Sequence, residues 1–214
     1  IQLLKILEAQ TRVINSTEAL LYLRSKYGLT QLNDLFQHPK TFASNQPETF
    51  IEIIERGGDW ILKPAAGSLG QGIFLINERT HDYPSLIRYL LGQNADHYLL
   101  LQEHIPDIDR GEKRVLMAAG HLIGAYLRRQ DTDHRTNLMQ GGQAERTTLS
   151  EAEQALVLKL GAYCAELGAE FIGIDLVYPY VIEINVINPG GLGTLISLGE
   201  VNQAGAVIKA ILQT

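Results

Sequence analysis

The chain has 214 residues, 45% of them hydrophobic and 20% charged, with a formal net charge of -6. That is enough apolar material for a sizeable core and too little charge for a disordered chain. The negative balance repels phosphate backbones and anionic lipid, so neither nucleic acid nor a membrane is expected as a partner. A single cysteine, Cys164, excludes a disulfide within the chain and fits a reducing, cytoplasmic setting.

In chain order, "IQLLKILEAQ" reads as the amphipathic end of something longer, so residues 1–14 are expected to be a linker or the remnant of an upstream domain. Asn15, with Glu18 three residues on and Gly28 beyond, predicts a capped helix. Pro47 opens a second helix that ends at Gly57 and Gly58. "DWILKP" and "GIFLIN" read as strands on either side of a glycine-rich run, "YPSLIRYLLG" as a helix, and "YLLLQEHIP" as a buried strand. "KRVLMAAGHLIGAYLRR" predicts a hairpin turning at Gly120. Residues 130–148 form a polar stretch long enough to suggest a functional loop. Ser150 and Glu153 cap a helix running to Gly168, with Cys164 inside it. A hairpin over 171–185, a glycine-rich turn and a last helix near 200–212 complete the chain. Hairpins dominate the second half, so the expectation is α+β, with antiparallel sheets in a smaller lobe over 15–96 and a larger lobe over 97–214.

The hairpin "FIGIDLVYPYVIEIN" sets two acids in an apolar stretch. Counting from a turn at Pro179 places Asp175 opposite Glu183. Strand alternation then puts Ile174, Leu176, Ile182 and Ile184 on a core face and Asp175, Glu183 and Asn185 on the other. Like charges directly opposite destabilise a sheet by up to roughly 1 kcal/mol. A divalent cation would remove that repulsion, and two carboxylates with an amide carbonyl are hard oxygen ligands suited to Mg²⁺. The alternative is a plain solvated face; Asn185, extending the oxygen row in register, favours the metal.

"GSLGQG" places Gly67, Ser68, Gly70 and Gly72 between two strands, where backbone N–H groups could cover phosphates or merely form a loop. It is neither a Walker loop nor a dinucleotide fingerprint. Lys63 lies in an apolar strand just before it, and Lys26 near the end of the first capped helix. Arg114, Arg135 and Asn137 add groups suited to phosphate or acyl phosphate. His104 and His134 are not at metal-ligand spacing, and no G-x-S-x-G elbow occurs.

Taken in order, the "ILKP" lysine and glycine run, "LQEHIP", "GEKRVL", "HRTNLMQGG", "GIDLV" and "EIN" resemble the ATP-grasp superfamily, and within it the bacterial glutathione synthetase type, over about residues 10–190. The resemblance implies two lobes enclosing a nucleotide cleft. It implies that Lys26 and Lys63 contact ATP phosphates, that Gly67, Ser68, Gly70 and Gly72 form a flap, and that main-chain groups of Gln102, Glu103, His104 and Ile105 hold adenine. It assigns Glu112 to the ribose, Arg114, Arg135 and Asn137 to the reacting phosphate, and Asp175, Glu183 and Asn185 to two Mg²⁺ ions, with Mn²⁺ able to stand in. Asn188, Gly190 and Gly191, in "VINPGGLGT", match what several other ATP-grasp ligases place beside substrate.

The implied activity is ATP-dependent joining of a small carboxylate to an amine, with γ-glutamylcysteine and glycine as the first pair to consider. The implied assembly leaves a homo-oligomer open. Two departures bear on the substrate: the family's leading domain is absent or reduced to the first ten residues, and the segment after Asn185 differs from that of glutathione synthetases. A ligase acting on a peptide or protein terminus and a non-catalytic ATP-binding module are the competing readings. A protein kinase is not, because H-R-D-x-x-x-x-N and D-F-G are missing.

Overall fold

A computed structural model describes residues 1–24, 26–32, 34–65, 72–92, 97–129 and 142–213. The chain forms two compact units, residues 38–106 and residues 1–37 with 107–214. No helix among the described residues is long and apolar enough to cross a membrane.

The smaller unit holds β1 (Thr41–Ser44), helix α4 (Pro47–Ile54), β2 (Trp60–Pro64), β3 (Phe74–Ile76), helix α5 (Tyr83–Leu91) and β4 (Leu99–Glu103). Its sheet has the order β1-β4-β2-β3, antiparallel throughout. Alternation sends Trp60, Leu62, Leu99 and Leu101 into a core with Phe50, Ile54, Ile87 and Leu91 of the two helices. It sends Lys63 and Gln102 to the opposite face. The sequence reading begins the larger lobe at residue 97; β4 instead belongs to the smaller unit, because it is hydrogen-bonded into its sheet on both sides.

The larger unit opens with α1 (Gln2–Glu8), α2 (Thr17–Leu23) and α3 (Lys26–Leu29). Residues 1–14 are not merely a tether here: Leu4 packs on the core, Glu8 accepts from the Thr17 amide at 2.6 Å, and Arg12 pairs with both oxygens of Glu170. The predicted cap shifts by one residue. Ser16 is the α2 N-cap, accepting from the Ala19 amide, while the Asn15 side chain bonds the Phe171 N–H and the Phe171 and Val186 carbonyls. Asn15 thereby ties together the open ends of the later hairpin.

The second sheet runs β7-β6-β5-β8-β9, built from β5 (Glu112–Ala118), β6 (His121–Arg129), β7 (Gln143–Arg146), β8 (Phe171–Val177) and β9 (Tyr180–Asn185). Strands β5 and β6 meet at Ala119 and Gly120, both with positive φ, as a two-residue turn suited to sheet twist requires. Part of the predicted 130–148 loop is therefore strand β7. Helix α6 (Glu151–Glu166) starts at the expected capping box of Ser150 and Glu153. Its Val157, Leu160 and Cys164 pack on Val115, Met117, Ile172 and Ile174. Burial pushes the Cys164 thiol up to about 12, so it is core rather than nucleophile. Within the predicted glycine-rich turn lies a short helix α7 (Leu192–Ser197), and α8 (Ala204–Leu212) ends the chain. Leu195 of α7 packs on Leu116 and Tyr126, on the sheet face opposite α6. That second face also carries a cluster of charged side chains.

Candidate active site

The acidic hairpin pairs as expected, with Asp175 opposite Glu183 and Gly173 opposite Asn185. The turn is not centred on Pro179, however. Val177 pairs with Tyr180 and Leu176 with Val181, so a bulge leaves Ile182 as the extra residue on β9. The bulge also corrects the predicted core face. Val181 is buried with Ile174, Leu176 and Ile184, while Ile182 is only half-buried.

The neighbouring strands supply the partners. Arg114 lies opposite Asp175 across β5 and β8, and Glu112 lies opposite Arg128 across β5 and β6. Asp175 is 4% exposed. Its Oδ1 accepts from Arg114 Nε at 2.5 Å and pairs with Arg128 Nη2 at 2.8 Å. Its Oδ2 accepts from Arg114 Nη2 and from Asn185 Nδ2, each at 3.1 Å. Arg114 also donates to the Pro189 carbonyl at 2.5 Å, and Arg128 Nη2 donates to Glu112. Gly173 makes room for this arrangement: a Cβ there would stand 3.1 Å from Arg114 Cδ and from Pro189 Cβ. Lys26, the first residue of α3, donates to Glu183 Oε1 at 2.9 Å.

The expected like-charge repulsion is thus met by the chain's own cations. Burial alone would raise the Asp175 carboxyl, but Arg114 and Arg128 outweigh it and hold the group below its ordinary value. Burial would likewise lower both guanidiniums, and the facing carboxylates raise them instead. Arg128 is the residue that sequence reasoning misses. Counting back from the turn at 119 and 120 puts Leu127 opposite Glu112. The bulge between Leu116 and Met117, which leaves Ile123 unpaired, moves Arg128 into that place.

Other expected residues separate by unit. In the smaller unit Lys63 is buried, and its Nζ donates to Gln102 Oε1 at 2.7 Å. Gln102 is held in turn by Thr41 and His38. Its main chain belongs to the β4 ladder, and the Glu103 and His104 amides donate to the Lys40 and Asp59 carbonyls. Of the four residues matched to adenine, Ile105 is the one whose amide donates to no acceptor among the described residues. In the larger unit Asn188 and Gly190 are exposed on either side of buried Pro189. Gly190 and Gly191 both have positive φ, and a Cβ on Gly191 would press on Leu116 and Tyr126 at 3.1 Å. Gly72, also at positive φ, precedes β3. Gly67, Ser68, Gly70, Arg135 and Asn137 lie outside the described residues.

The donor set fits a hard divalent cation in kind: two carboxylates and an amide oxygen on one face of one hairpin. Glu183 is the most accessible of the acids, with its side chain 33% exposed. Among the described residues no cluster of three histidine, cysteine or acidic side chains stands ready for a metal. Asp175 is already engaged by two guanidiniums.

Residues 25–199 match the model of the prokaryotic glutathione synthetase ATP-grasp domain. The chain belongs to this family. It is 31% identical over 210 residues to the glutathione synthetase of Agrobacterium fabrum, an alignment covering 98% of this chain and 65% of that protein. The chain therefore spans just under two thirds of that relative. Among solved structures, the D-cycloserine synthetase DcsG superposes with a TM-score of 0.72 at 17% identity, over 99% of this chain and 76% of that one. The ATP-grasp ligase PsnB, solved with a minimal precursor, gives 0.68 at 20% identity, over 97% and 66%. These structures establish the ATP-grasp fold. The sheet of β5 to β9 carries Glu112, Arg114, Arg128, Asp175 and Glu183.

Proposed function

We propose that this ATP-grasp chain is the nucleotide-binding part of an ADP-forming carboxylate–amine ligase, with γ-glutamylcysteine and glycine as the first substrate pair to test. The observation that supports it most is the face of one sheet on which Arg114, Arg128 and Lys26 meet Asp175, Glu183 and Glu112. A site that must accept a polyphosphate with its cation needs both signs of charge close together.

In this reading a substrate carboxylate oxygen attacks the γ-phosphorus of ATP, and ADP leaves. The acyl phosphate is then attacked at carbon by the amine; the C–O bond to phosphate breaks, and an amide and inorganic phosphate result. The chain's residues position and neutralise rather than form covalent bonds. Arg114, fixed by Asp175 and the Pro189 carbonyl, presents a rigid guanidinium to phosphate oxygens. Lys63, set by Gln102, offers an ammonium on the smaller unit, where the Ile105 amide is available to a base edge. Glu112 takes the ribose in the family's pattern, and here it also holds Arg128. Arg135 and Asn137 would join the phosphate side, and the flap residues Gly67, Ser68, Gly70 and Gly72 would cover it. Asn188, Gly190 and Gly191 face substrate. Asp175, Glu183 and Asn185 would hold Mg²⁺, which supplies Lewis-acid neutralisation of the phosphoryl oxygens.

The test is ADP release in the presence of ATP, Mg²⁺ and a panel of carboxylates and amines. Release is expected only when an acid and an amine are both present, and to be fastest with γ-glutamylcysteine and glycine. Release with a peptide and free amino acids instead would move the substrate to a peptide terminus. Nucleotide binding without release under any pairing would contradict the ligase reading.

A further inference from the structure

The two arginines on Asp175 are not equivalent. Arg114 places Nε and both terminal nitrogens on acceptors, two on Asp175 and one on the Pro189 carbonyl. Arg128 makes both of its ion pairs, to Glu112 and to Asp175, through the single nitrogen Nη2. Its Nε is buried and has no acceptor among the described residues, and the residue is only 7% exposed. A buried donor left unmatched is costly and rare in a native structure. Arg128 is therefore the less firmly held of the pair, and it carries an open donor for an anion.

Asp175 has the opposite difficulty. A carboxylate offers about four lone-pair sites, and those of Asp175 are met by Arg114 Nε, Arg128 Nη2, Arg114 Nη2 and Asn185 Nδ2. A divalent cation approaching this group meets two positive charges and no free oxygen direction. A cation can bind only if a guanidinium gives way, and Arg128 is the one with least to lose.

The geometry points to Arg128 as a positioning residue that acts as an internal counter-ion: it occupies Asp175 until a polyphosphate draws it off, so the divalent cation joins this site together with nucleotide and not before it. This rests on the reading of Asp175, Glu183 and Asn185 as cation ligands, and it adds an order of binding to that reading. It also gives Glu112 a part, because Glu112 keeps the guanidinium beside Asp175 in the absence of nucleotide.

The experiment monitors uptake of Mn²⁺ by the loss of its free electron paramagnetic resonance signal, with and without the non-hydrolysable analogue AMP-PNP. Wild type is compared with Arg128→Gln. Because that change takes a cation away from two buried carboxylates, Glu112→Gln/Arg128→Gln is measured beside it, and far-UV circular dichroism checks that each protein is folded. Without nucleotide, the folded variants are expected to bind Mn²⁺ about tenfold or more tightly than wild type, a factor within ordinary competition energies. With AMP-PNP, wild type is expected to take up Mn²⁺ beyond what the analogue alone holds, and the gap to the variants to narrow. Equal uptake by all forms without nucleotide would overturn the counter-ion role and leave the cation site standing. No uptake by wild type even with AMP-PNP would overturn the cation site, and the counter-ion role with it.

Discussion

Asp175→Asn is expected to lower stability by about 3–5 kcal/mol, the usual cost of removing one partner from a buried ion pair, and to abolish turnover. The carboxylate is the shared counter-charge of Arg114 and Arg128, and all three are buried. An amide at 175 keeps the shape but leaves two guanidiniums facing a neutral group, with Glu112 as the remaining acid on Arg128. Urea denaturation of wild type and variant would measure the loss. The sign of the shift sets the pH dependence. The folded carboxyl is held below its ordinary value, so its contribution is complete above the unfolded pKa of about 3.9 and fades as pH falls through the lower, folded value. The stability gap between wild type and Asp175→Asn should therefore be constant near neutrality and shrink in acid. A variant as stable as wild type at pH 7 would show that Asp175 does not balance the arginines.

Glu183→Gln should separate chemistry from folding. Glu183 is a third exposed, and its ion pair with Lys26 can survive as a hydrogen bond to the glutamine carbonyl. Stability should change by less than about 1 kcal/mol, as for most partly exposed pairs. Removing a charge from the proposed cation site should lower kcat by roughly a hundredfold or more, the scale seen when a preorganised electrostatic contact is lost. Measuring kcat across a Mg²⁺ titration, beside a thermal melt, gives both quantities. Near-wild-type kcat would remove Glu183 from the cation site.

These two acids differ in ways that sequence cannot separate. Alternation along "GIDLV" and "VIEIN" is enough to pair them and to give them one face. What each one faces is set by two bulges. One shifts Val181 into the core in place of Ile182, and the other slides Arg128 opposite Glu112. No glycine or proline adjoins Ile182, and although Gly124 adjoins Ile123, both extra residues are apolar and leave the apolar pattern intact. The helices are more legible, since caps are local. Ser150 with Glu153 reads correctly from four residues, whereas Asn15 reads wrongly as a cap because its partners, Phe171 and Val186, are 156 and 171 residues away in sequence. The lobe boundaries are misplaced for the same reason: residues 15–37 fall in the larger unit, and only pairing with β1 and β2 assigns β4 to the smaller one.

The proposed ligation requires a carboxylate oxygen of the substrate to attack the terminal phosphorus of ATP. An acid labelled with ¹⁸O in its carboxylate, turned over with ATP, Mg²⁺ and the amine, reports on that step. Mass spectrometry of the released phosphate should then show one labelled oxygen per amide formed, because the acyl phosphate gives up that oxygen when the amine displaces phosphate. Unlabelled phosphate, with the oxygen lost from the acid found in a nucleoside monophosphate or released as water, would contradict it.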